Sequence, residues 1–498
     1  MTRQEELDRK RRLVRYLMLG SVAVVLALKI YLLLFVMDFT LGLYSFFSSF
    51  VLFNILLFAY TRYKDPYIDA ANIPTSSMNT NNIPLISIVV PVKNEEDNIR
   101  NCVQSCINQS YPKKEIIIVN DGSTDRTAEI LDDIRREEKA KNHDKQQLRI
   151  LHLSRSVGKK KAVEFASQIS KGEIYAFMDS DCDMAYDAVE KAAKIFISDK
   201  QLGALTSHGR VRGAHSGNIL EKFQDVYIDG SCRAIKAEES SFSSVTCCAG
   251  SLSFYRREAI QHFIHEWAHD TFLGMDFKFC TDRRMTAYVL GTRPRMRENI
   301  PDESLGKSKN DNIHSGSNSQ LEIPILAVGN DDLSLLEKTT DPDRDYDKRS
   351  LPPRWNVRYS YSVRVNVGVP NTVSALIKQQ IRWKKSFIRS LSSTGGMYWS
   401  RPFYVAMLYY IQTAMKFIRP YIVLHALVIL PFEGDLRSTI LWIMGIMYTG
   451  MIYAVDFRLR NPGDRLWLYR PIFTFLTTFV YTWLLPLAAI TIRNKSWR

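Results

Sequence analysis

No G-x-G-x-x-G follows the first strand-like run, and no G-x-x-x-x-G-K-S/T occurs anywhere in the chain. Those absences exclude a Rossmann dinucleotide site and a Walker-type phosphate loop. Cysteine is sparse: seven residues, none in a C-x-x-C pair, all from Cys102 to Cys280. Such spacing suits neither a zinc ribbon nor a disulfide framework, and free thiols point to a reducing compartment. Acidic residues are outnumbered, 52 against 66 Lys and Arg, leaving a net charge of +14. That balance favours anionic partners. No nucleic-acid-binding motif is present, and the basic clusters "RKRRLVR", "RLRNPGDR" and "RNKSWR" adjoin apolar runs. Membrane lipid and nucleotide phosphate are therefore the expected partners, and nucleic acid is not. The first apolar run is not expected to act as a cleavable leader, because it is too long and has no small-residue cleavage site.

Long apolar runs occupy only the two ends. Residues 13–37 and 41–60 each reach the roughly 20 residues that cross a hydrocarbon core. Arg15 and Lys29 interrupt the first run, and are expected to snorkel or to face a protein interior. The positive-inside rule puts "RKRRLVR" in the cytosol, so residues 1–62 read as a membrane hairpin that returns the chain to the cytosol. Beyond residue 400 the pattern is less regular. Lys416, Arg419 and Pro420 interrupt 404–432, which reads as an interfacial helix followed by one span. Residues 438–455 read as a further span, and 471–492 as a re-entrant or interface-lying segment broken at Pro486. Four spans are expected, and the fifth run is no simple crossing if "RNKSWR" is cytosolic.

Residues 63–372 have the composition of a water-facing domain. "ISIVVPVKNEEDNIRNCVQSCINQSY", "EIIIVNDGSTDRTAEILDDIRREEKAKN" and "LRILHLSRSVGKKKAVEFASQIS" each read as strand, polar loop, helix, and "GEIYAFMDSDCDM" follows. The alternation predicts an α/β domain with a mostly parallel sheet covered on both faces. Ligands in such folds sit beyond the carboxyl ends of the strands. Asp121, Lys159 and Asp179 to Asp183 should therefore converge on one crevice. "VGKKKA" is either a solvated basic turn or a set of point charges for a pyrophosphate. Asp179, Asp181 and Asp183 pose a similar choice. Like charges two apart share a strand face and repel, so they are either solvated turn-formers or held by a cation.

The motifs "VVPVKNEEDNI", "VNDGSTDRT", "GKKKA", "MDSDCDM", "CTDRR" and "QQIRW" stand in the order and approximate spacing of the processive family 2 glycosyltransferases. Through "CCAGSLSFYRREAI", "CTDRRMTAYVL" and "QQIRWKKSFIR" the chain most resembles hyaluronan synthases, over 85–300 and 355–498, and it is similar to chitin and cellulose synthases. The resemblance implies a GT-A-like domain that takes UDP-sugars with Mg2+ or Mn2+. It implies that Asp121 accepts a hydrogen bond from uracil, and that Lys159 and Arg382 neutralise the diphosphate. Asp179 and Asp181 become the metal-binding pair, with Asp181 the direct ligand. Asp183 lies outside the family pattern and reads as a turn residue.

Asp282 resembles the general base of an inverting displacement, taking the acceptor's proton. Its plainer reading is an ion-pair partner of Arg283 or Arg284. Gln379, Arg382 and Trp383 form Q-x-x-R-W, in which Gln379 and Trp383 are i,i+4 neighbours on a helix. Trp383 offers an apolar face to a sugar. Residues 373–400 read as an amphipathic interface helix carrying this motif, between the crevice and a membrane region over 401–498. Cys247, Cys248, Ala249 and Gly250 either line the acceptor side or are small packing residues.

Three departures from the family stand out. Thr281 replaces the first of an acidic pair. Residues 303–350 are polar and Ser/Asn-rich, the composition of a mobile insertion. The chain stops at "SWR", where the family continues with a W-G-T-R gate, matched here by Trp497, and further spans. A homo-oligomer or a partner protein is then expected to complete a channel. The expected activity is metal-dependent polymerisation of UDP-GlcNAc and UDP-GlcA at the plasma membrane, from a cytosolic catalytic domain, with the polysaccharide secreted. The alternatives are a chitin or poly-N-acetylglucosamine type of synthase, a non-processive transferase acting on a lipid phosphate, and a receptor that binds a nucleotide sugar without turnover.

Overall fold

The computed structural model describes residues 3–73, 83–141, 147–276, 280–292 and 354–493. The expected insertion at 303–350 and Trp497 lie outside the described residues. Helices α1 (Arg3–Phe35) and α2 (Phe39–Thr61) form the N-terminal hairpin. Asp38 caps α2 by accepting the Leu41 N–H at 2.8 Å. Lys29 takes the interior option: its Nζ donates to the Ser45 hydroxyl at 2.8 Å and the Ser45 carbonyl at 3.1 Å. Arg15 lies over the Tyr60 ring at 5.3 Å.

A short α3 (Pro66–Ala70) leads into the central domain. There β1 (Ile86–Val92), α4 (Ile99–Ile107), β2 (Lys114–Asn120), α5 (Thr127–Ala140) and β3 (Gln147–His152) alternate as expected. Next come α6 (Lys159–Ile169), β4 (Ile174–Phe177), β5 (Cys182–Met184), α7 (Ala188–Ser198) and β6 (Leu202–Val211). Then follow α8 (Ile219–Gly230), a π-helical turn at Ser231–Lys236, α9 (Ala237–Ser241) and β7 (Ser253–Arg256). The short helices α10 (Arg257–Ile260) and α11 (Ile264–Ala268) precede a small ribbon of β8 (Thr271–Phe272) and β9 (Met275–Asp276). Helix α12 (Thr281–Gly291) and the long β10 (Asn356–Val367) complete the domain.

Eight strands form one sheet in the order β3-β2-β1-β4-β7-β6-β10-β5. β3, β2, β1 and β4 run parallel, as do β6 and β10, while β7 and β5 run antiparallel to their neighbours. The fold is the expected α/β, mostly parallel sheet. β1 and β2 are buried at every position, which their β-branched runs allow because both faces are covered. Ile88, Val90, Ile116 and Ile118 pack with Cys102, Leu131 and Ile195 of the helices on one face. Val89, Ile117 and Val119, the alternate residues, pack with Ala162 and Ala166 of α6 on the other.

The chain returns to apolar segments through α13 (Val373–Thr394), capped by the Thr372 hydroxyl on the Ala375 N–H at 3.4 Å. α14 (Phe403–Leu424) continues through a π-helical turn into α15 (Leu430–Phe432), then come α16 (Leu436–Arg460), α17 (Tyr469–Phe479) and α18 (Leu484–Ile490). Among the described residues five helical runs are long and apolar enough to cross a membrane: 9–35, 39–70, 403–432, 436–460 and 466–490.

Two expectations are corrected. Run 404–432 is not divided at Pro420, because its charges find partners: Lys416 Nζ lies 4.7 Å over the Phe387 ring, and Arg419 Nε donates to the Tyr44 hydroxyl at 3.0 Å. The helix widens into a π-turn at His425–Ile429, just after the proline. The last run breaks at Val480–Trp483 rather than at Pro486, which sits in the first turn of α18, where its missing N–H costs little.

Polar clamps join α2 to α16 and fasten the central domain to the segment that follows α16. The Tyr60 hydroxyl and Arg460 Nε reach Asp456 at 2.5 and 2.7 Å, Asn461 donates to Asp229 at 3.1 Å, and Arg210 pairs with Asp464 at 2.9 Å.

Candidate active site

Asp121 follows β2, and Gly122 turns the chain at φ +61°. A Cβ on Gly122 would lie 2.7 Å from the Ser156 nitrogen, so the turn needs glycine twice over. The Asp121 carboxylate accepts the Val157 N–H at 2.6 Å, the Gly158 N–H at 3.0 Å and the Ser156 hydroxyl at 2.8 Å. It thereby fastens the loop that ends in Lys159, the first residue of α6.

Lys159 is ion-paired with Asp179. Burial alone lowers an ammonium pKa, yet Asp179, Asp282 and Asp181 outweigh it and raise that of Lys159. Burial, and then repulsion from Asp179, push the Asp181 carboxyl up to about 6. Asp282 is also raised, by burial first; Lys159 opposes and Asp179 adds. The Thr281 hydroxyl donates to Asp282 at 2.7 Å and the Gly250 N–H at 3.1 Å. Asp282 occupies the first turn of α12, where a helix favours an anion. Neither arginine beside it takes it as a partner. Arg284 reaches Asp270 at 3.2 Å and Glu266 at 3.5 Å, and Arg283 lies 5.8 Å over Phe387.

Three carboxylates therefore gather around one ammonium, and Gly250 lets them. A Cβ on Gly250 would stand 2.9 Å from both Asp179 Oδ2 and Asp282 Oδ2. Asp183 does not join them, and it is not a turn residue. It lies in β5 opposite Asn366 of β10, and accepts from Asn366 at 2.7 Å and from Arg212.

Gln379, Arg382 and Trp383 of α13 line the same cavity. Trp383 is 41% exposed, and its ring centroid lies 6.2 Å from that of Tyr227 on α8. The cavity, about 1430 Å³, runs from Asp121, Lys159, Asp181 and Asp282 past Trp383 to Gln412 of α14, Thr449 of α16 and Thr478 of α17. Cys247, Ala249 and Gly250 line it. Cys248 does not: it is fully buried among Val245, Tyr255 and Met285, and its N–H donates to the Thr286 hydroxyl at 2.9 Å. Cys248 is thus a packing residue, removed from the acceptor side.

One buried group escaped sequence reasoning. Asp270 binds Lys160 at 3.3 Å, Arg284 at 3.2 Å and Arg389 at 2.5 Å. It joins α6, α12 and α13, the helices that carry Lys159, Asp282 and Q-x-x-R-W. No spacing rule marks a single aspartate in "AHDTF"; only the fold brings three cations to it.

A family model described as glycosyl transferase family 2 matches residues 87–264. These residues form a family 2 glycosyltransferase domain. The chain is 24% identical over 417 residues to the hyaluronan synthase of Streptococcus pyogenes, covering 83% of this chain and 82% of that protein. It is 31% identical over 257 residues to an N-acetylglucosaminyltransferase of Rhizobium meliloti, spanning half of this chain and 58% of that relative's length. Among solved structures, a mannosyltransferase of Pyrobaculum calidifontis, in complex with GDP-Man and Mn2+, superposes with a TM-score of 0.51 at 15% identity, over 92% of this chain and 99% of that one. That likeness supports the GT-A fold.

In a glycosyltransferase domain the space at Gly250 becomes a testable quantity. Gly250→Ala is expected to push Asp179 and Asp282 apart and to slow sugar transfer by about 10²-fold, the cost of an ångström-scale misplacement. Sugar transferred per enzyme measures it. A rate within a factor of about two of the parent would mean that the carboxylates have room to give.

Proposed function

We propose that this chain is a membrane-embedded, inverting glycosyltransferase that builds a polysaccharide from UDP-sugars and feeds it toward the bilayer. UDP-GlcNAc and UDP-GlcA are the donors in this reading. The observation that carries it is the single cavity joining the carboxylate cluster to three apolar helices. A transferase that releases small products has no need of a passage from its reacting centre into membrane-spanning segments. Residues 63–372 then face the cytosol, α13 lies at the membrane surface, and 1–62 and 401–498 hold the bilayer.

Asp181 with Asp179 fits a hard divalent cation, Mg2+ or Mn2+, because two crowded carboxylates on one buried spot gain from positive charge and offer oxygen ligands. When bound, such an ion would neutralise charge on the departing diphosphate. Lys159 and Arg382 balance the same charge from the protein side. Asp282 takes the proton of the acceptor hydroxyl as that oxygen attacks the anomeric carbon, opposite the diphosphate. The carbon–oxygen bond to the diphosphate breaks, and its electron pair leaves with UDP. Thr281 donates to the base at 2.7 Å; a carboxylate there would add a like charge and raise the base further. Trp383 supplies a flat apolar face for the nascent sugar, with Cys247 and Gly250 beside it. Asp121 fastens the 156–158 loop, and a uracil N–H would have to replace the Ser156 hydroxyl on it.

The 31% identity to an N-acetylglucosaminyltransferase favours a second reading, in which N-acetylglucosamine is the only sugar. A donor panel separates them. The purified chain should convert radiolabelled UDP-GlcNAc into long polymer only when UDP-GlcA is present. Polymer from UDP-GlcNAc alone would establish the second reading. A product of one sugar on a lipid would overturn both.

A further inference from the structure

We propose that Glu164, His265 and His269 form a binding site for a zinc-class divalent ion, separate from the aspartate cluster. His265 and His269 stand four residues apart across the end of α11, with ring centroids 4.3 Å apart. Glu164 of α6 lies beneath them, its side chain 4% exposed. Its first oxygen meets His265 Nδ1 at 2.6 Å, and its second lies 3.6 Å from His269 Nδ1. The ligand-capable atoms of all three residues fall within 4.8 Å of one another.

Among the described residues, the hydrogen bonds and ion pairs that reach this buried carboxylate come from those two imidazoles. A buried anion needs a compensating charge, and two imidazoles provide it only when protonated or when they share a cation. Two imidazole nitrogens and one carboxylate oxygen are the donor set of Zn2+ with one coordination position left open. Such a set selects borderline ions such as Zn2+, whereas Mg2+ and Mn2+ prefer oxygen alone. The two clusters in this chain therefore sort metals by ligand chemistry.

The segment reads H-E-W-A-H, a pattern that in metalloproteases places the glutamate as general base. Here Glu266 is engaged by the Tyr288 hydroxyl and lies 3.5 Å from Arg284. No hydrolytic role follows from it. The site is instead a clamp. It ties α6, whose first residue is Lys159, to the residue preceding Asp270, which gathers Lys160, Arg284 and Arg389. This inference rests on geometry alone and stands whichever sugar is transferred.

The test uses the full chain in detergent, stripped of metal and titrated with Co2+ and then Zn2+. One Co2+ should bind with the strong visible absorption of a four-coordinate nitrogen-ligated ion, and Zn2+ should displace it. An ion held by the oxygen-only aspartate cluster gives no such band. The His265→Ala/His269→Ala variant should lose the band and bind Zn2+ roughly 100-fold more weakly, at least the loss caused by outer-shell changes. In metal-free buffer that variant should melt below the parent, because the buried Glu164 carboxylate loses both of its partners. The isosteric Glu164→Gln variant should weaken Zn2+ in the same way. Absence of the band in the parent, or a band that survives in the double-histidine variant, would overturn the proposal.

Discussion

Asp282→Asn is expected to cut sugar transfer by about 10³-fold, within the range that a positioned general base supplies. That corresponds to about 4 kcal/mol of barrier. Asparagine keeps the shape of the side chain: its one oxygen can accept the Gly250 N–H, which reaches Asp282 Oδ2 at 3.1 Å, while its amide donates to the Thr281 hydroxyl, which now lies 2.7 Å from Oδ1. It removes the basic oxygen and one of the charges around Lys159. UDP binding should stay within a factor of about three, because the nucleotide side of the crevice is untouched. The comparison is steady-state UDP release against nucleotide affinity by calorimetry. Unchanged release from the variant would remove Asp282 from the chemistry and return the assignment of the base to the open.

The second large effect concerns Asp181. Asp181→Asn should abolish the Mn2+-dependent part of UDP binding, a loss of roughly 100-fold or more where a ligand to the cation is removed. The same variant should be no less stable than the parent in chelator. The Asp181 carboxyl is pushed up to about 6 by burial and by Asp179, so its ionised form works against folding at neutral pH. A carboxyl whose folded pKa is raised weakens the fold as pH climbs through the interval between its unfolded and folded values. Asparagine takes that strain away. Calorimetry with Mn2+ and UDP, paired with thermal melts in chelator, reads both halves. Full Mn2+-dependent binding by the variant would sink the metal assignment. A melting temperature well below the parent in chelator would show that Asp181 serves the fold instead.

Much of the central domain is legible in the order of residues. Runs such as "ISIVVPV" and "EIIIVN" can be strands only if covered on both faces, and the helices between them supply the cover. Because a parallel sheet puts every strand's carboxyl end on one edge, the loops holding Asp121, Lys159 and Asp179 had to meet. The exceptions share a cause. Cys247 and Cys248 are adjacent, yet one lines the cavity and the other is buried in the core. Asp181 and Asp183 are two apart, yet Asp183 is captured by Arg212, just past β6, and by Asn366 of β10. Which way a side chain turns depends on partners that no local pattern names. The same holds for the apolar run at 404–432. Lys416, Arg419 and Pro420 look like breaks until Phe387 and Tyr44 are seen to receive the charges.

The amino-acid order by itself determined the α/β class, the apolar character of both ends and the motif set of a glycosyltransferase, because each rests on periodicity or spacing within a few tens of residues. The tertiary structure alone decided that Gly250 admits Asp179 and Asp282 to one ammonium, that Asp270 gathers three cations, and that Glu164 lies under two histidines. Those are contacts between distant segments. Their energies depend on separations of a few ångströms, which come into being only once the sheet has closed around them.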